Sequence, residues 1–215
     1  NTIKMNKEEF IKAVEQLKVD LTEEKLEKLN KFYNLLIEWN KKINLTRIEE
    51  EDEVYLKHFY DSLTIAKVVD LSEIKTLCDI GTGAGFPGIV LKIFYPNLKI
   101  TLIDSLQKRV NYLNEIIKDL GLDNIEAIHV RGEDYKGQYD VVTSRAVANI
   151  EKLLGYTMHL VSPTGIFVAM KGDIEKELTL DVKKKLEKKY KLKKIEKFLL
   201  PKENSNRSLV VIKNK

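Results

Sequence analysis

The stretch Thr76-Leu77-Cys78-Asp79-Ile80-Gly81-Thr82-Gly83-Ala84-Gly85-Phe86-Pro87-Gly88 decides the fold. A short apolar run ends in an acid and is followed almost at once by four glycines. That pattern lets a strand pass its chain to a helix through a tight turn that a ligand can approach. Nineteen residues past Gly85, a second apolar run, Ile100-Thr101-Leu102-Ile103, also ends in an acid, Asp104. A carboxylate about 20 residues beyond such a loop is placed to accept the hydroxyls of a ribose, so the two segments together read as a nucleotide site.

Outward from this loop, short β-rich runs alternate with helical stretches. Strands are predicted over 76–80, 99–103, 125–130, 139–143 and 165–170, with helices over 89–95, 107–120 and 148–160. Alternating units of this kind imply an α/β fold with a mainly parallel sheet and helices on both faces. The end of the chain differs: 191–198 and 208–212 read as two strands joined without a helix, an antiparallel hairpin at the sheet edge. Residues 7–70 contain no convincing strand. Leu26, Leu29, Phe32, Tyr33, Leu36 and Ile37, and then Val54, Phe59, Leu63, Ala66 and Val69, recur at helical spacing. Thr22 before Glu23 and Glu24 marks a helix start, and Asn40, Asn44 and Thr46 mark a helix end. The expected organisation is an N-terminal helical extension over 1–70 and a ligand-binding domain over 71–215.

With 215 residues and 43% hydrophobic content, the chain can bury a substantial core. No apolar run approaches the roughly 18 residues of a membrane span, and a soluble, cytoplasmic protein is expected. The single cysteine, Cys78, sits in an apolar run and reads as a small buried hydrophobe. His58, His129 and His159 are scattered, so no metal is expected. The net charge is +4, and Arg47, Arg109, Arg131, Arg145 and Arg207 stand out against a background of lysine. Arg109, Arg131 and Arg145 follow predicted strands, on the edge where open α/β sheets bind ligands. Eight lysines between Lys183 and Lys194 read as a solvated helix and a protected edge strand rather than a phosphate-binding patch.

From Gly83 the loop satisfies G-x-G-x-x-G, which points to a dinucleotide. From the strand it reads Asp79-x-Gly81-x-Gly83-x-Gly85, which resembles the first motif of the Rossmann-like S-adenosylmethionine methyltransferases. Charge separates the two ligands. A pyrophosphate is repelled by Asp79 at the strand end, whereas the ammonium and sulfonium of the methyl donor are attracted to it.

The resemblance then extends along nearly the whole chain. Trp39-Asn40 with Asn44-Leu45-Thr46, His58 with Asp61-Ser62, the loop 79–88, Asp104-Ser105 with Lys108-Arg109, Ser144-Arg145-Ala146, Lys171-Gly172 and Arg207-Ser208-Leu209-Val210-Val211-Ile212 look like the RsmG family, also called GidB. That resemblance implies methyl transfer from S-adenosylmethionine to N7 of one guanine in bacterial 16S ribosomal RNA, within the small subunit or its precursor. It implies a cofactor site of Asp79, Gly81, Gly83, Gly85, Phe86, Asp104, Ser105, Gly132, Glu133 and Arg145. For three of these a plainer role stands beside it: a turn at Gly81, a core ring at Phe86 and a helix cap at Glu133. It further suggests Arg131, Lys171 and Arg207 for orienting the base or the RNA, with surface ion pairs as their alternative.

Guanine N7 carries an in-plane lone pair and no proton, so its methylation needs geometry rather than a general base. Tyr55, Phe59, Tyr60 and Tyr135 are aromatic candidates for stacking an extruded base. Two other functions remain open at this point: a methyltransferase acting on a small molecule or a protein, and an NAD-dependent oxidoreductase. No oligomeric state is implied.

Overall fold

The computed structural model describes residues 4–145 and 148–215. Its strands are β1 (Thr76–Ile80), β2 (Lys99–Asp104), β3 (Ile125–His129), β4 (Tyr139–Ser144), β5 (Val161–Lys171), β6 (Tyr190–Leu199) and β7 (Asn206–Asn214). They form one sheet in the order β3-β2-β1-β4-β5-β7-β6. The five from β3 to β5 are parallel, while β7 runs antiparallel to both β5 and β6. This is the expected α/β arrangement with its C-terminal hairpin. One strand boundary differs by more than two residues: β5 begins at Val161, because the turn-forming Ser162-Pro163-Thr164-Gly165 is absorbed into the strand where its register against β4 shifts.

Side chains alternate across the sheet as period-2 geometry requires. Leu77, Ile100, Leu102, Val141, Val168, Leu209 and Val211 face one buried cluster, and Cys78, Ile103, Val142, Phe167, Val210 and Ile212 face the other. Cys78 is fully buried, and burial pushes its thiol well above the usual range.

The first cluster is covered by α5 (Gly88–Phe94) and α6 (Gln107–Asp119), the second by α7 (Ile150–Gly155) and α8 (Leu180–Glu187). The predicted helix over 148–160 resolves into α7 and a 3₁₀ turn at Met158–Leu160, and Ala146 and Val147 just before it lie outside the described residues.

The described residues before 70 form helices and connecting loops, with no strand among them. They contain α1 (Lys7–Gln16), α2 (Glu23–Asn40), α3 (Glu51–Val54) and α4 (Asp61–Leu63). Phe10, Phe32, Leu36 and Phe59 from this segment join the same core as α5 and α6. Thr22 caps α2 by accepting from the Lys25 amide at 3.2 Å. Asn40 anchors the loop after α2: its Oδ1 accepts from the Leu45 and Thr46 amides at 2.9 and 3.0 Å, and its Nδ2 donates to the Thr46 carbonyl at 2.9 Å.

A π-helical turn, Tyr55–Tyr60, joins α3 to α4. Such wide turns cluster at functional sites, and this one carries His58 and leads directly into Asp61.

α5 starts under the glycine loop at Gly88, where space is tight. A Cβ there would collide with Leu102 and lie 2.9 Å from Asp79 Oδ2. Overpacking of this kind typically costs about 1–3 kcal/mol, so Gly88→Ala is expected to lower unfolding stability in urea by that amount. Wild-type stability would show that the helix start has slack.

Candidate active site

β1 ends in a buried carboxylate that organises the loop after it. Asp79 is inaccessible, and its Oδ2 accepts from the Thr82 hydroxyl at 2.7 Å and the Gly88 amide at 2.9 Å. Among the described residues its Oδ1 has no hydrogen-bond partner. Burial pushes the carboxyl up to about 7. Gly81, Gly83 and Gly85 carry the turn at positive φ. Asp104, at the end of β2, grips the same loop from the other side. Its Oδ2 accepts from the Gly83 amide at 2.9 Å and its Oδ1 from the Leu106 amide at 3.0 Å, with the Arg109 guanidinium 3.8 Å away.

These bonds bear on the two ligands left open above. The loop amides of Gly83 and Gly88, which a pyrophosphate would need, are committed to carboxylates of the chain itself. A cleft of 330 Å³ opens at the ends of β1, β2 and β3. Its lining combines Gly81, Asp104, Ser105, Arg131, Gly132 and Glu133 with the apolar Ile80, Ile103, Val130 and Tyr156. Two carboxylates beside an apolar slot suit a cationic nucleoside that carries a ribose diol. Gly132 keeps this slot narrow, since a Cβ there would sit 3.0 Å from the Tyr156 carbonyl and 3.1 Å from Ile80.

A second cavity, of 540 Å³, opens at the ends of β4, β5 and β7, lined among others by Asp61, Arg145, Lys171, Glu177 and Arg207. Asp61 holds both arginines, Arg207 Nε at 3.2 Å and Arg145 Nη1 at 3.4 Å. Arg145 also donates to the Lys57 carbonyl at 3.2 Å and to His58 Nδ1 at 3.1 Å, and its guanidinium lies 5.2 Å from the centroid of the Phe86 ring. Because Arg145 has only protons to offer, His58 Nδ1 is the acceptor, which leaves Nε2–H to donate to Thr46 Oγ1 at 2.7 Å. Burial and the neighbouring Arg145 charge hold His58 down at about 3, so the imidazole is neutral. Lys171 Nζ lies 3.1 Å from Glu177 and donates to the Ala148 carbonyl at 2.7 Å.

The residues named from sequence therefore divide between two sites. Gly81, Asp104, Ser105, Gly132 and Glu133 come together in the first cleft. Arg131 lies there too, apart from Lys171 and Arg207, which line the second cavity. Arg145 faces that second cavity as well. Phe86 is 4% exposed, stacked at 4.5 Å on His58 and packed against Phe32 and Phe59, so its ring is a core element behind Arg145 rather than part of the cleft wall. Tyr55, Phe59 and Tyr60 are likewise buried, and the Tyr135 hydroxyl is bonded to Tyr139 at 2.7 Å. Sequence assigns no role to Tyr156 or His58: Tyr156 has no motif around it, and His58, though part of the family pattern, gains its partners only on folding.

The raised Asp79 carboxyl has a measurable consequence. Its ordinary value is about 3.9, so between roughly pH 4 and 7 the native state binds a proton that the unfolded chain releases. The stability this provides is complete below that window and is lost as pH rises through 7. The stability of Asp79→Asn relative to wild type is therefore expected to improve by more than about 1 kcal/mol between pH 4.5 and 8 in urea titrations. A difference that does not change with pH would contradict it.

The chain is similar to known proteins along most of its length. A family model described as GidB, rRNA small subunit methyltransferase G, matches residues 25–210. The ribosomal RNA small subunit methyltransferase G of Desulforamulus reducens is 50% identical over 209 residues, covering 94% of this chain and 87% of the relative. The protein of the same name from Bacillus subtilis is 42% identical over 216 residues, covering 97% and 90%. Among solved structures, a SAM-dependent methyltransferase from Aquifex aeolicus aligns with a TM-score of 0.58 at 20% identity, covering 82% of this chain and 97% of that one. M. jannaschii TYW2 in complex with AdoMet aligns at 0.53 and 21% identity, covering 66% and 70%. These structural likenesses establish a Rossmann-like methyltransferase fold, and the sequence relatives establish more: the chain belongs to the rRNA small subunit methyltransferase G (GidB) family.

Proposed function

We propose that this chain transfers a methyl group from S-adenosylmethionine to N7 of a guanine in 16S ribosomal RNA, acting in the cytoplasm on the small ribosomal subunit or its precursor. The observation that carries this reading is the placement of the two cavities. Strand order reverses between β1 and β4, the switch point at which open α/β sheets bind ligands. One cavity lies on each side of it.

On the β1–β3 side, Asp104 is placed to receive a ribose diol, and Ile80, Ile103, Val130 and Tyr156 supply apolar walls for an adenine. S-adenosylmethionine, when bound, supplies an electrophilic methyl on a sulfonium. Arg131, in this same cleft, is read as a cofactor-side residue rather than an RNA contact.

On the β4–β7 side, the residues present suit a reaction that needs no base. Both ring nitrogens of His58 are committed, so it has no free lone pair to take a proton. Each of these cations touches a carboxylate, Arg145 and Arg207 sharing Asp61 and Lys171 meeting Glu177. That contact matters because methylation places positive charge on the purine, which an unpaired cation would oppose. The acceptor atom brings its own lone pair, and the chain contributes orientation, worth several kcal/mol when reacting atoms are held in line.

Two variants divide these roles. Asp104→Ala removes bonds to a charged acceptor and is expected to weaken binding of S-adenosylhomocysteine in calorimetry by about tenfold or more. Unchanged affinity would remove the ribose assignment. Arg207→Ala is expected to retain cofactor affinity within about twofold while methyl transfer to small subunits falls by about tenfold or more, as loss of a charged contact implies. Full transfer activity would make Arg207 purely structural. A thermal shift with NAD and none with S-adenosylhomocysteine would overturn the whole reading.

A further inference from the structure

The 540 Å³ cavity presents a carboxylate that methyl transfer needs neither as a base nor as a nucleophile. Asp61 stands at the start of α4, its side chain 9% exposed, with Oδ1 accepting from Arg207 Nε at 3.2 Å and Oδ2 from Arg145 Nη1 at 3.4 Å. Each carboxylate oxygen has two lone-pair directions and meets one donor among the described residues, so each retains one. The two guanidiniums hold both oxygens and thereby fix the plane of the group. Glu177, the neighbouring carboxylate, spends a single oxygen on both Lys171 and the Ile150 amide, so nothing fixes its plane in the same way.

Guanine presents two adjacent donors, N1–H and N2–H₂, on its Watson–Crick edge beside the acceptor O6, and its acceptor N7 on the other edge of the purine. A carboxylate that takes both donors in two parallel bonds leaves N7 free on the opposite side of the purine. Adenine, which also has an N7, offers an acceptor at N1 and is repelled by the same group. Building on the guanine-N7 reading above, we infer that Asp61 is the specificity-determining residue, accepting N1–H and N2–H₂ of the extruded guanine while Arg145 and Arg207 hold its plane. The cavity volume lies within the range of nucleoside-sized ligand sites.

The test uses small subunits reconstituted around ribosomal RNA with either guanosine or inosine at the methylated position. Inosine keeps N7, O6 and N1–H and lacks only the 2-amino group. Wild-type kcat/KM is expected to fall by about tenfold or more with inosine, as loss of a bond to a charged acceptor implies. Asp61→Asn is expected to be much slower on guanosine and to treat the two bases alike, within about threefold, because the group that senses the amino group is gone. Glu177→Gln should keep the wild-type ratio.

If Asp61 only clips the two arginines, Asp61→Asn will slow both substrates equally and the inosine penalty will survive, which overturns the proposal. Collapse of the penalty in Glu177→Gln overturns it in favour of Glu177. Should Asp61→Asn fail to fold, the wild-type measurement decides alone: equal rates on guanosine and inosine contradict the inference. A wild-type protein that leaves guanosine N7 unmethylated removes the underlying reading instead, an outcome distinct from the others.

Discussion

The carboxylate of Asp79 is the constraint from which the site is built. It sits beneath the glycine loop with no access to solvent and binds the Thr82 hydroxyl and the Gly88 amide. Through them it closes β1, sets the turn and fixes the first residue of α5. Asp104 repeats the device one strand over by taking the Gly83 amide. Two acids therefore occupy the loop donors from below, and the surface left above them is poor in free N–H groups and bordered by Asp104 and Glu133. A cation is the natural guest of such a surface, and a pyrophosphate is not.

The sheet divides the remaining work. Its β1–β3 half makes the narrow cleft, and its β4–β7 half makes the wider cavity, so that the two openings flank the point where strand order reverses. The N-terminal helices take part in this directly. The π-helical turn and α4 supply His58 and Asp61, and these reach Arg145 on the β4 side and Arg207 on β7. One polar chain thus runs from Thr46 through His58, Arg145 and Asp61 to Arg207, tying the extension to the far end of the sheet. Phe86 backs it from the loop side, stacked on His58 and close beneath the Arg145 guanidinium.

Much of this architecture is legible in the sequence, because it follows from local pattern. The glycines after Thr76-Leu77-Cys78-Asp79, the acid at 104 and the alternation of strand and helix specify a parallel sheet and the edge at which it binds ligands. The hairpin follows from two β-rich runs with no helix between them. What depends on tertiary contacts is hidden. Phe86 follows a glycine loop, and only the folded chain shows its ring turned into the core against Phe32 and Phe59. Arg131 and Arg207 look equivalent as basic residues beside strand ends, yet the sheet order sends them to different cavities. Asp61 and His58 belong to the family pattern, but their shared grip on Arg145 depends on a π-helical turn that hydrophobic periodicity does not signal.

The central claim is that a donor cleft and a purine cavity, divided at the switch point, deliver a methyl group to guanine N7. Its most direct measurement supplies the purified chain with S-adenosylmethionine labelled in the methyl group and small ribosomal subunits from cells that lack the modification. The recovered RNA is then mapped by mass spectrometry. We expect one label per subunit, carried on N7 of a single guanine. Label on a ribosomal protein, on another base atom or on no component of the subunit would contradict it.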